Sequence, residues 1–178
     1  MDIGVISVRY ARALLKCSTE LKVEDQVYQE MQTLAESYIS VPELRRTIEN
    51  PLIAREGKSS MLQSAAGGEV SDITKRLIEL VLKEGRENMM QFIANSYITL
   101  YRQQKNITRG KLTTAVAVTP ETEQKMRSMV ESRTNGTVEF KTEVDPEILG
   151  GFILEYDTYR MDTSVKSQLN NILKQLAN

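Results

Sequence analysis

Histidine and tryptophan are absent from this chain, and cysteine occurs once. Without histidine there is no Ser-His-Asp or Cys-His catalytic machinery. An ordinary zinc site or a two-histidine metal site is excluded for the same reason. The single Cys17 forms no internal disulfide and fits a reducing compartment. An excess of either charge is missing too: Lys plus Arg number 23 and Asp plus Glu 24. The balance holds locally, with 14 of each sign in residues 1–108 and 9 basic against 10 acidic in residues 109–178. Phosphate contacts need a surplus of Lys and Arg, so a nucleic-acid binder is disfavoured, as is a polybasic membrane-surface module. No run of about 18 apolar residues exists, so no direct membrane insertion is expected. Met1-Asp2-Ile3-Gly4 opens neither a secretory signal nor an Arg-rich transit peptide, which points to the cytoplasmic side. What is present is ordinary globular material, 40% hydrophobic and 26% charged, enough for a packed core. A length of 178 residues suits one or two domains.

Residues 1–108 read as helix after helix. Ile3, Ile6, Tyr10, Ala13, Leu14, Cys17 and Leu21 recur at spacings of three and four, with Val8, Ala11 and Leu15 in a second apolar line beside them. Cys17 is expected to pack on that apolar face. A second helix carries Val27, Met31, Leu34, Tyr38 and Val41. Pro42 interrupts it, and Leu44 and Ile48 continue a short third. Asn50-Pro51 punctuates again, because the residue before proline avoids the helical region. A short segment around Met61 and Leu62 ends at Gly67-Gly68. Ser71 or Asp72 is placed to cap the next helix, Ile73 to Leu82, which is apolar on nearly all sides and stops at Gly85. Met90, Ile93, Tyr97, Leu100 and Tyr101 mark the last. The expectation is an all-α compact bundle of five to six helices.

After Thr108-Arg109-Gly110 the period changes to two. Leu112, Thr114, Val116 and Val118 predict a strand, and Val138, Phe140, Thr142 and Val144 a clearer one. Between them Thr119-Pro120-Glu121 starts a thinly apolar helix with Met126, Met129 and Val130, broken at Asn135-Gly136. That thinness suggests a second half that is mobile in isolation. Ile148 to Tyr156 reads as a strand buried on both faces, with Gly150-Gly151 letting the backbone bend or pack closely and Tyr159-Arg160-Met161 as a short partner. Val165, Leu169, Ile172, Leu173 and Leu176 form a closing amphipathic helix, capped by Asp162, Thr163 or Ser164. The second half, 109–178, is therefore expected to be a small α/β module.

Candidate chemistry mostly fails. Gly57-Lys58-Ser59 resembles the end of a phosphate loop, but the required earlier glycine is Leu52 and no buried strand precedes it. Gly150-Gly151 lacks the third glycine and helix start of a dinucleotide site. Asp145 and Glu147 read as solvated turn acids rather than a catalytic pair. Asp157 and Asp162 lack calcium-loop spacing. Asn106-Ile107-Thr108 and Asn135-Gly136-Thr137 match the glycosylation pattern without a secretion signal to give it meaning. Two helices, the first and Ile73–Leu82, are greasier than the edge of a bundle requires. Either both are central, or they form a groove for an amphipathic helix. The terminal helix has the same two readings. A small nucleotide- or ligand-binding regulatory protein, using the Gly150-Gly151 strand, is the alternative from a different class.

An ordered set of segments resembles the delta subunit family of F-type ATP synthases, whose mitochondrial homologue is the oligomycin-sensitivity-conferring protein. The segments are Val8-Arg9-Tyr10-Ala11-Arg12-Ala13-Leu14-Leu15, then Leu77 to Arg86 (LIELVLKEGR), then Val144 to Leu154 (VDPEILGGFIL), then Met161 to Leu169 (MDTSVKSQL). They run in family order over nearly the whole chain. Thr163 departs from the glycine usual before Ser164.

The resemblance implies a non-catalytic stator subunit that joins the catalytic head to the peripheral stalk and resists rotor torque. It implies no cofactor and no metal, one copy per complex, a monomer when isolated, and a place at the cytoplasmic face of the inner membrane. The family's N-terminal bundle grips the N-terminal helix of an alpha subunit between its first and fifth helices, which carries over to Tyr10, Ala13, Leu14, Leu77, Ile78 and Val81. Its C-terminal part binds the C-terminal end of the stalk b subunit, carrying over to Val165, Leu169, Ile172 and Leu176. A hinge near Ile107–Lys111 would let each domain engage its own partner. Covering about 600 Å2 of helix face per partner is compatible with stable binding.

Overall fold

The computed structural model describes residues 3–134, 136–156 and 158–176, apart from the side chains of Arg133, Thr134 and Leu176. The expectations that touch Asn135 and Asp157 lie outside the described residues. The chain divides into two compact units between Gln103 and Gln104.

The first unit is helical: α1 (Ile3–Glu20), α2 (Glu24–Ser40), α3 (Pro42–Glu49), α4 (Arg55–Ala65), α5 (Asp72–Lys83) and, after a 3-10 turn at Glu87–Met89, α6 (Met90–Lys105). Pro42 sits in the first turn of α3, where its missing N–H does no harm. The Ser71 side chain accepts from Thr74 N–H at the start of α5. Gly85, at φ +62°, ends that helix. Arg86 N–H then bonds the Val81 carbonyl at 3.0 Å and closes the turn.

Val27, Met31 and Leu34 of α2, Ile78 and Val81 of α5, and Met90, Ile93 and Tyr97 of α6 are fully buried. Polar ties fix the helices around this core. Tyr97 Oη lies 3.0 Å from Ser18 Oγ and donates to the Glu24 carbonyl. Tyr101 donates to Asp25 at 2.7 Å and stacks on Tyr28. Burial pushes the Tyr97 phenol up to about 12, so it stays a donor at any physiological pH. Lys58, in the first turn of α4, is a buried cation whose Nζ donates to Glu87 Oε1 at 2.6 Å. For Glu87, burial works to raise the pKa, but the hydrogen bond and charge of Lys58 outweigh it and hold the carboxyl low.

Cys17 is a correction: it is exposed, not packed. The buried arc of α1 is carried by Ile6, Ser7, Ala11, Leu14, Leu15 and Ser18. Ser7 and Ser18 occupy its centre by bonding the carbonyls of Gly4 and Leu15, so the arc is rotated away from Cys17 and Ala13. An apolar count alone centres the arc wrongly.

The second unit holds β1 (Ile107–Thr114), α7 (Pro120–Thr134), β2 (Thr137–Val144), β3 (Phe152–Tyr156), β4 (Tyr159–Asp162) and α8 (Val165–Leu176). The sheet order is β2-β1-β3-β4. β1 and β2 are parallel and joined through α7, while β3 is antiparallel to both β1 and β4. Leu112, Val130, Val138, Leu154 and Tyr156 form its core, with Met126, Met129, Phe140 and Phe152 around them. The few apolar residues of α7 suffice because it covers one face of a small sheet. The other face carries charged partners such as Arg109 opposite Glu139 and Glu155 opposite Arg160.

Three boundaries differ from expectation. β1 starts at Ile107 and ends at Thr114, leaving Val116 exposed, so the supposed hinge at Ile107–Lys111 is strand. Pairing of Ile107 with Thr137 extends it backwards, a long-range contact with no local signal. Ile148–Tyr156 is not one strand. A 3-10 turn occupies Pro146–Ile148, Leu149 is left-handed at φ +65°, and β3 begins at Phe152. Gly151 is essential to this bend, because it holds φ +74° and a Cβ there would lie 2.4 Å from the Thr163 carbonyl oxygen. Thr163 itself does not occupy the left-handed region, so the departure from glycine strains nothing. It bonds the Phe152 carbonyl through both N–H and Oγ1.

Candidate partner-binding surfaces

The α5 helix presents two flanks. One, with Glu79, Leu82 and Lys83, lines a cavity of about 480 Å3 with Arg55, Glu56, Ser59 and Ser60 of α4. At 100° per residue, Ile73, Leu77, Leu80 and Glu84 lie on the opposite flank. That flank is tied to α1 through the turn after α5, where Arg86 Nη1 donates to Tyr10 Oη at 2.8 Å. The guanidinium also stands over the Tyr10 ring, 5.7 Å from its centroid. The start of α5 is pinned separately. The buried Glu30 carboxylate of α2 accepts from Ser71 N–H at 2.6 Å and from its hydroxyl at 2.8 Å.

Six residues of the first unit were expected at a groove, and the structure sorts them. Leu14, Leu77, Ile78 and Val81 are buried within the bundle; Leu77 is 6% exposed and Ile78 and Val81 are fully covered. Tyr10 is half-buried and Ala13 exposed. The apolar surface on the same flanks of the two helices comes from residues that were not carried over as groove candidates. Leu80 is 46% exposed, Cys17 is exposed, and Ile73 is half-buried. Tyr10, Ala13 and Cys17 share one flank of α1 by their spacing of three and four. Periodicity contained all of these positions, but the rotation of each helix about its axis depends on neighbours.

The second surface belongs to α8. Its start is capped twice: Ser164 Oγ accepts from Ser167 N–H, and Asp162 accepts from Ser164 N–H. The Ser164 hydroxyl, the Ser164 N–H and the Ser167 hydroxyl all donate to the Asp162 carboxyl and hold it below its ordinary range. Val165, Leu169 and Ile172 are exposed, the last two by 48% and 52%, and so are the neighbouring Leu173 and Leu149. The side chain of Leu176 lies outside the described residues. An amphipathic helix whose apolar stripe remains in water is unusual in a finished core.

Elsewhere the residues offer little chemistry. Gly150 faces Val165 and Gly151 faces Thr163 and Ser164, so the start of α8 fills the space a ligand would need. Asp145 caps the 3-10 turn by accepting from Glu147 N–H, and Glu147 pairs with Lys166. Among the described residues, no group of three acidic or cysteine side chains is placed to hold a metal ion, and no helix is long and apolar enough to cross a membrane.

The family model described as ATP synthase delta (OSCP) subunit matches residues 6–176. The chain belongs to the ATP synthase delta (OSCP) subunit family. It is 49% identical over 176 residues to the ATP synthase subunit delta of Phocaeicola vulgatus, covering 98% of this chain and 95% of that one. With the Parabacteroides distasonis subunit delta the identity is 42%, over 97% and 96% of the two chains. The fold is shared with a chain in the cryo-EM structure of the Toxoplasma gondii mitochondrial ATP synthase hexamer, at TM-score 0.65 and 19% identity over 97% of each chain. This delta-family chain is a non-catalytic stator subunit of the ATP synthase and works by contact with other subunits of that complex. Two unlike units, a helical bundle and an α/β module ending in α8, are its architecture.

Proposed function

We propose that the two units carry separate docking surfaces, one for the head and one for the peripheral stalk. The groove between α1 and α5 takes the N-terminal amphipathic helix of an alpha subunit. The α8 stripe takes the C-terminal end of the b subunit. The apolar face of α8 carries this reading, since the described residues leave Leu169, Ile172 and Leu173 about half or more exposed. In the first unit, support comes from the half-open flank of Leu80, Ala13 and Cys17 beside Tyr10. The rotor turns inside the head during ATP synthesis, and the head is held against co-rotation by a rigid link. Affinity at two sites, one per unit, is what such a link needs. One copy at the cytoplasmic face of the membrane, monomeric when isolated, completes the reading.

The test is a pair of titrations on the isotope-labelled full chain. A peptide of about 20 residues from the N-terminus of the same organism's alpha subunit is expected to shift amides of α1 and α5. A peptide from the C-terminus of its b subunit is expected to shift α8. Shifts confined to the opposite unit, or none at high excess, overturn the assignment.

A further inference from the structure

We propose that Arg86 is a carboxylate receptor at one end of the α1–α5 groove, and that the docking helix presents an Asp or Glu to it. This rests on the groove reading above and adds the polar contact that sets the helix's register.

Arg86 is half-buried and held from two directions. Its backbone N–H is fixed on the Val81 carbonyl, and its guanidinium on the hydroxyl and ring face of Tyr10. A long side chain tethered in this way has already lost much of the rotamer freedom that binding would otherwise remove. Its charge, however, meets no carboxylate of the described residues. Glu87, the nearest acid in sequence, is committed to Lys58. Glu84 is exposed and makes no ion pair with the described residues. A guanidinium has five donors in a planar fork, and the Tyr10 hydroxyl takes one of them. The remaining edge matches the two oxygens of a carboxylate, and a neutral acceptor would leave the cation uncompensated once a partner excludes water. The apolar residues beside it accept any greasy helix face, so the charged contact is what distinguishes one register from a slip of one turn.

The experiment is calorimetric titration of the full chain with the alpha-subunit N-terminal peptide. Arg86→Gln is expected to weaken binding about tenfold. Arg86→Lys keeps the charge but loses the fork and is expected to fall between. Replacing the peptide's acidic residues one at a time by their amides should find one substitution that weakens wild-type binding but leaves Arg86→Gln unchanged. Raising salt should weaken wild type more steeply than Arg86→Gln. Tyr10→Phe, which keeps the ring and removes the hydroxyl, gives an independent reading if Arg86→Gln fails to fold, and is expected to lose part of the same affinity. If wild type binds the peptide but Arg86→Gln and Arg86→Lys bind equally well at every salt, Arg86 merely packs on Tyr10 and the inference fails alone. If no acidic position of the peptide couples to Arg86, it fails likewise. If wild type does not bind at all, the groove reading fails and takes this one with it.

Discussion

Leu77 and Leu80 lie on the same flank of α5, one turn apart, and the structure gives them opposite duties. Leu77 is 6% exposed and part of the bundle core; Leu80 is 46% exposed. Leu77→Ala removes buried methylenes and leaves a cavity, which costs about 2–5 kcal/mol. For a unit of this size that lowers Tm by about 10 °C or more. Leu80→Ala removes a side chain only half covered, so about half of the usual 1.5–3 kcal/mol for a leucine is at stake. Alanine's higher helix propensity offsets a few tenths of it. The net loss of stability is then about 1 kcal/mol or less. On the proposed docking, what Leu80 still exposes becomes covered by the alpha-subunit helix. Losing that contact should weaken the peptide about five- to tenfold, from roughly 1 kcal/mol of apolar burial. Urea denaturation and calorimetric titration of both variants supply the comparison. The reasoning is refuted if Leu80→Ala destabilises as much as Leu77→Ala, or if Leu80→Ala binds the peptide like wild type.

In the second unit, Leu169→Asp with Ile172→Asp removes two side chains that are each about half covered, so a moderate loss of stability of about 1–3 kcal/mol is expected with the unit still folded, while shifts from the b-subunit peptide are abolished; unfolding of the unit would show that α8 packs where the structure leaves it open. Lys58→Ala strands the Glu87 carboxylate and should cost about 3 kcal/mol near neutral pH, read by urea denaturation. Because the folded Glu87 pKa is depressed, its contribution is present above the unfolded value near 4.5 and is lost as pH falls through the folded one, so the gap between Lys58→Ala and wild type should narrow in acid. Gly151→Ala forces a positive φ and a Cβ against the Thr163 carbonyl. It should destabilise the second unit by more than about 1 kcal/mol, with amide exchange in β3 and β4 rising first and exchange in α2 and α6 unchanged.

Helix number and order were legible because each helix of the first unit has its own apolar repeat and its own stop, such as Pro42, Asn50-Pro51 and Gly85. The N-cap Ser71 and the β3–β4 pair were readable for the same local reasons. Cys17 was misplaced because periodicity counts apolar residues, whereas Ser7 and Ser18 are buried through hydrogen bonds that a hydropathy pattern ignores. The strand at Ile107 escaped because its pairing partner, Thr137, is 30 residues away. Leu149 and Gly151 broke an apolar run that looked continuous, since a left-handed bend is dictated by what the chain must avoid, here the Thr163 carbonyl.

The amino-acid sequence by itself carried the resemblance to the delta subunit family, through the ordered segments from Val8 to Leu169, and that resemblance implied a non-catalytic stator subunit. It also determined the division into a helical half and an α/β half, through the change of period after Gly110. Only the tertiary structure decided which apolar residues are core and which are surface. Periodicity defines a stripe relative to the helix's own axis, but rotation about that axis is set by the neighbours packed against it. So Leu77, Ile78 and Val81 went inside, Leu80 and Cys17 stayed out, and Arg86 came to rest on Tyr10, 76 residues away along the chain.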